Sequence, residues 1–194
     1  MASDDVRDAV LDSARAAFRS KGYVRTSVRG VAAAAGVAPD VVSRYWGSKE
    51  KLFAAAMRLP FDPATAVPEL VAPGLEGMGE RLVRFTLDTL GDEEARDDLL
   101  ALFRAGASTG KAAAGVRSFV EQSVLDRLAR TIGVPDARLR VALISSFLIG
   151  IAVNRFITKL EPLASMPEDD LVRVLAPTVQ AWLDPSVPLP GGDS

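Results

Sequence analysis

Residues 26–53 read TSVRGVAAAAGVAPDVVSRYWGSKEKLF. The pattern is two short helices joined by a glycine turn, with a third helix close behind. Thr26 or Ser27 can cap the first, whose inner face is Val28, Val31, Ala32 and Ala35. Gly36 supplies the turn. The next helix covers about residues 38–45, and Pro39 is tolerated because a first turn has spare N–H groups. Ser48 then caps a helix from Lys49 to about Met57. Upstream, Val10, Leu11, Ala14 and Phe18 repeat at helical spacing over residues 4–21, and Gly22 is a stop. A helix-turn-helix of this kind presents its second helix to a DNA major groove.

The chemistry of that second helix fits such a role. Val37, Val42 and Trp46 share one face and pack inward, leaving Asp40, Ser43 and Arg44 outward and Tyr45 at the edge. Eight residues cannot hold a helix alone, so its use lies in what it presents. Arginine pairs bidentately with guanine, serine bonds bases or phosphate, and a tyrosine hydroxyl can donate to phosphate. Arg29 sits beside the same groove, and Lys49 stands at a helix N-terminus, where charge and free N–H groups favour phosphate. Asp40 repels phosphate but can accept from cytosine or reject wrong sequences. The DNA-facing set expected from the stretch is Thr26, Ser27, Arg29, Pro39, Asp40, Ser43, Arg44, Tyr45 and Lys49.

In order, Thr26–Ser27, Ala35–Gly36–Val37, Tyr45–Trp46 and Gly47–Ser48–Lys49–Glu50 make the chain resemble the TetR (tetracycline repressor-like) family of bacterial transcriptional regulators. The likeness covers about the first 57 residues. It departs at Ser43, where the family usually has tyrosine, and at Trp46, where it usually has phenylalanine. The resemblance implies an all-α protein of about nine helices. Residues 1–57 would form a three-helix DNA-binding head with its helix-turn-helix, and residues 58–184 a helical ligand-binding and dimerisation domain. It further implies a homodimeric repressor that binds a near-palindromic double-stranded operator and leaves it when a small-molecule effector binds.

Beyond residue 57 the motifs stop. Pro60, Pro63, Pro68 and Pro73 read as an extended link, followed by helices near 75–90, 92–105, 110–132, 136–160 and 168–184. Pro177 should kink or divide the last of these. Residues 185–194, rich in proline and glycine, are expected to be a disordered tail. The 136–160 helix is apolar nearly all round and must be buried on several sides. Phe147, Gly150 and Ile151 there, with Leu171, Leu175, Thr178 and Trp182 on the last helix, are the expected dimer interface, a four-helix arrangement from two chains. An effector cavity is expected among Phe61, Phe85, Phe103 and Phe119, with Arg104, Gln122 and Asn154 as its polar groups.

Composition narrows the alternatives. The 194 residues contain no cysteine and no histidine, which removes disulfides, Cys/His metal sites and nucleophile–histidine catalysis. No catalytic residue, cofactor or metal is expected, and the chain reads as a non-enzyme. Residues 1–57 hold nine Lys/Arg and six Asp/Glu, while the remainder holds fourteen and nineteen, a basic head on an acidic body. The acidic start MASDDVRD is no signal pattern, and the apolar stretch 141–153 is short for a membrane span of about 20 residues, so a cytoplasmic protein without membrane contact is expected. Glu93/Asp97 and Glu94/Asp98 share helix faces, as carboxylate metal ligands do. They sustain a rival reading, a helical metal-binding protein or enzyme; a sequence-blind architectural DNA-binding protein is another.

Overall fold

The computed structural model describes residues 3–107, 114 and 118–187, with backbone alone for 3 and 101–107. Among them are ten α-helices and no strand: α1 (Ser3–Arg25), α2 (Val28–Ala34), α3 (Pro39–Trp46), α4 (Lys49–Ala56), α5 (Pro63–Val71), α6 (Met78–Gly91), α7 (Glu93–Ala107), α8 (Asp126–Ile132), α9 (Ala137–Ala152) and α10 (Glu168–Leu183). Val120–Leu125 and Val153–Ile157 are π-helical. The chain groups into two compact units, one drawn from Met1–Ala64 and Asp97–Ser123, the other from Thr65–Arg96 and Val124–Ser194.

In the first unit the local signals act as read. Gly22 breaks α1 with φ 80°, and Gly36 makes the turn after α2 with φ 70°. Ser27 Oγ accepts from Gly30 N at 3.1 Å, and Ser48 Oγ accepts from Lys51 N at 3.1 Å. The core joins Val10, Ala14 and Phe18 of α1 to Val31, Ala32, Val42, Trp46, Leu52 and Phe53. Phe18, Tyr23, Phe53 and Phe119 form an aromatic cluster, with Phe119 stacked on Phe53 at 4.1 Å and edge-on to Tyr23 at 5.3 Å.

The second unit is built on α6, α9 and α10. Val83, Leu87, Val141, Ile144, Leu148, Leu171, Leu175 and Val179 fill its core. Gly79 lets α6 touch α10: a Cβ there would lie 2.5 Å from the Ala176 carbonyl oxygen and 2.8 Å from Gln180 N. The Gln180 amide completes the junction, accepting from Gly79 N and donating to the Leu75 carbonyl, both at 2.9 Å.

Three expectations change. The proline-rich link contains α5, because Asp62 Oδ1 accepts from Ala64 N at 3.0 Å as a cap and Pro63 takes the first helical position, where no N–H is needed. Pro177 neither divides nor ends α10, which continues to Leu183 because the helix is anchored on both sides of it through Leu175 and Val179. Pro185–Val187 are no loose tail. Arg140, 1% exposed, donates to the carbonyls of Pro135, Trp182, Asp184 and Val187 at 2.6–3.0 Å and holds that turn in place. Residues 188–194 lie outside the described residues.

By length and composition alone the 21-residue run Ala137–Ile157 could cross a bilayer. It carries Arg138, Arg140 and Arg155, and its Val141, Ile144 and Leu148 belong to the core of the second unit. Those contacts account for the inner side of the run, while Leu139 and Leu143 face outward.

Candidate nucleic-acid interface

The surface of the first unit is organised around α3. Val42 and Trp46 are 1% and 7% exposed, and they fix the roll of this short helix. Pro39, Asp40, Ser43, Arg44 and Tyr45 are thereby all exposed on its outer side. Tyr45 rests its ring 5.5 Å from that of Trp46. Arg44 Nη2 lies 3.7 Å from Asp40 Oδ2, one helical turn away. On α2, Arg29 is exposed in the first turn. Ser27 is exposed as well, with its hydroxyl engaged as the cap.

Two members of the expected set have other work. Thr26 is buried, and its hydroxyl donates to the Gly22 carbonyl at 2.8 Å and to that of Ala17 at 3.2 Å. Its side chain ties α2 to the end of α1 and is removed from any DNA-facing surface. Lys49 is half-buried: Nζ donates to the Val24 carbonyl at 3.1 Å and lies 4.4 Å above the Tyr23 ring. Loss of solvent around the ammonium draws its pKa below the ordinary lysine value. Two of its three N–H donors remain for a phosphate, but the residue also braces α4 against the end of α1.

The expected effector residues are divided between the two units. Phe119 is a core residue of the first unit, where it packs on Phe53 and Tyr23. Gln122 is exposed. Phe61 lines an open surface cleft with Lys51, Ala54, Leu59, Pro60 and Asp62. Phe85 and Asn154 fall in the second unit. The Asn154 amide is spent on its own helix, donating to the Gly150 carbonyl at 2.9 Å and accepting from the Thr158 hydroxyl at 3.1 Å. The side chains of Phe103 and Arg104 lie outside the described residues. Periodicity marked these aromatics as apolar but could not say which core each one fills.

The expected dimer face also divides. Leu171 and Leu175 are buried in the core of their own unit, since the stripe they begin is the inner side of α10. Phe147 and Trp182 are half-buried, edge-to-face at 5.3 Å, and Ile151 packs beside that core. Thr178 is exposed, and a Cβ on Gly150 would meet nothing within 4 Å. Leu143, on the side of the helix that the sequence marks for dimerisation, is 37% exposed, whereas sequence reading missed the outward apolar residues Leu139 of α9 and Val174 of α10, which are 44% and 62% exposed. The all-round apolarity of α9 was the available signal.

The acidic run opens α7. Asp92 Oδ1 accepts from Ala95 N at 2.8 Å, and Glu93 and Glu94 occupy the first turn, where the helix dipole favours them. Among the described residues no group of three or more Asp/Glu side chains converges as a metal would require.

Comparison with known proteins agrees with this architecture. The profile of bacterial regulatory proteins of the tetR family matches residues 10–56, and that of the tetracyclin repressor-like C-terminal domain matches residues 76–183. A TetR-family regulator from Streptomyces coelicolor A3, known by its crystal structure, is 33% identical over 94% of this chain and 97% of its own, with a TM-score of 0.47. NalD, the secondary repressor of the MexAB-OprM multidrug efflux pump in Pseudomonas aeruginosa, is 19% identical over 92% of this chain and 95% of its own, with a TM-score of 0.50. No curated protein matches significantly. With one profile on the helix-turn-helix and another on more than half of the chain, the chain belongs to the TetR family of bacterial transcriptional regulators.

Proposed function

We propose that the protein is a cytoplasmic, homodimeric repressor that binds a near-palindromic operator through two copies of α3 and releases it when a small-molecule effector binds. The observation that carries the dimer is the apolar outer side of the second unit. Leu139, Leu143 and Val174 stand exposed, and Gly150 leaves open space for an approaching helix. A two-fold contact there would bury these residues and hold two reading helices at a fixed spacing. The fold shared with NalD, itself a repressor, favours repression as the sign of regulation. Release requires an effector that prefers the conformer whose heads are wrongly spaced; equal affinity for both conformers would change nothing.

The effector is sought best without assuming its identity. Small molecules retained by the purified protein are identified by mass spectrometry, and each is added to the protein–operator complex. An effector should lower operator affinity in a saturable way. A protein that selects an operator but that no retained or metabolite-library compound releases would refute ligand control while leaving DNA binding intact.

A further inference from the structure

We propose that Asp40 and Arg44 act as one reading unit that takes the major-groove edge of a single G·C base pair in each half-site, Arg44 donating to guanine and Asp40 accepting from the cytosine amino group. The inference rests on the operator-binding reading above and names the base chemistry that α3 selects. Arg44 Nη2 and Asp40 Oδ2 lie 3.7 Å apart, and their side chains are 78% and 71% exposed. Val42 and Trp46, buried on the opposite side, keep both groups outward. Asp40 follows Pro39 in the first turn, the part of a reading helix that meets base edges.

A carboxylate facing a polyanion loses affinity unless it finds a donor. In the major groove the donors are the amino groups of cytosine and adenine, while guanine offers only acceptors. Guanine O6 and cytosine N4 bond to each other within the pair, so they lie about 2.9 Å apart. An arginine N–H beside a carboxylate oxygen presents the complementary pattern at a similar spacing. The carboxylate also holds the guanidinium fork, lowering the entropy lost when it engages guanine. The competing explanation is a helix-stabilising pair, since Asp at i and Arg at i+4 is the favourable order. A pair this exposed contributes little to stability, and base preference would not depend on it.

Selection of bound sites from random duplex DNA tests the proposal with the full-length protein, Asp40→Asn, Arg44→Lys and Arg44→Ala. The wild type should enrich one G·C position per half-site that all three variants relax, by about tenfold or more. Asp40→Asn should bind unrelated duplex as tightly as the wild type or more so, because a repulsion is removed. Arg44→Ala should leave the salt slope of operator affinity unchanged, whereas loss of a phosphate contact would lower it by about one unit per half-site. An Asp40→Asn protein with wild-type preferences, even if its melting temperature falls, overturns the reading unit. So do Asp40 and Arg44 variants that relax different positions. A wild type that enriches no sequence overturns this inference and operator recognition together.

Discussion

Lys49 joins two roles that sequence alone keeps apart. Its position after Ser48 marked it for phosphate, yet its ammonium also bonds the Val24 carbonyl and covers the Tyr23 ring. Lys49→Ala should therefore weaken binding to all DNA sequences and also destabilise the first unit by about 1 kcal/mol. Paired measurements of denaturation and salt-dependent DNA affinity would resolve the two losses. Unchanged stability would mean that the brace contributes nothing. Thr26 is the cleaner contrast. Thr26→Val keeps the shape and removes the hydroxyl proton that the Gly22 and Ala17 carbonyls share, so stability should fall by about 1–2 kcal/mol in chemical denaturation, with site preference unchanged. A relaxed preference would return Thr26 to the DNA surface. Arg140 shows what sequence could not display. Three of its four carbonyl partners come from residues 42 to 47 positions away, and no local pattern announces them. Arg140→Met would remove the donor that these part-buried carbonyls share and should cost about 1–3 kcal/mol, measurable in the same way. Near-wild-type stability would show that water replaces the guanidinium.

The elements divide along the same line between local and distant causes. The helices of the first unit were legible because each carries its own signals, namely Ser27 and Ser48 as caps and Gly22 and Gly36 as breaks. Helix α5 carries such signals too, in Asp62–Pro63, but four prolines close together mask them. In α10 the periodicity was real and its direction was not. Leu171 and Leu175 repeat as an interface stripe would, yet they point into their own unit, because nothing local distinguishes the inner apolar side from the outer one. The junction of α6 with α10 likewise depends on distant residues, since Gly79 is unremarkable until Ala176 and Gln180 are placed against it. Gly79→Ala would put a methyl group onto backbone atoms that cannot turn aside. It should destabilise the protein by about 1–3 kcal/mol despite the better helix propensity of alanine. A neutral or stabilising result in thermal and urea denaturation would mean that the two helices are not this close.

For the whole molecule, the question is how residues that never touch DNA control affinity for it. Two heads bind one operator tightly only if their separation matches successive major grooves, about 34–36 Å apart, and that separation must be set by the dimer contact. The position of each apolar residue decides how to test this. Phe147 and Trp182 pack on each other, and a charge at either would damage the protomer along with any interface. Leu143 and Val174 are exposed, so Leu143→Asp and Val174→Asp should leave each protomer folded. In a dimer the same carboxylate would be buried against an apolar partner surface, at a cost of several kcal/mol that favours dissociation. Sedimentation should then show a monomer with wild-type helicity, and operator affinity should fall towards that of one isolated head. The loss should shrink as protein concentration rises, because association is weakened and the DNA-contacting residues are unchanged. A folded monomeric variant that bound the full operator with wild-type affinity would rule out control of head spacing by this face. A variant that remained dimeric would place the interface elsewhere.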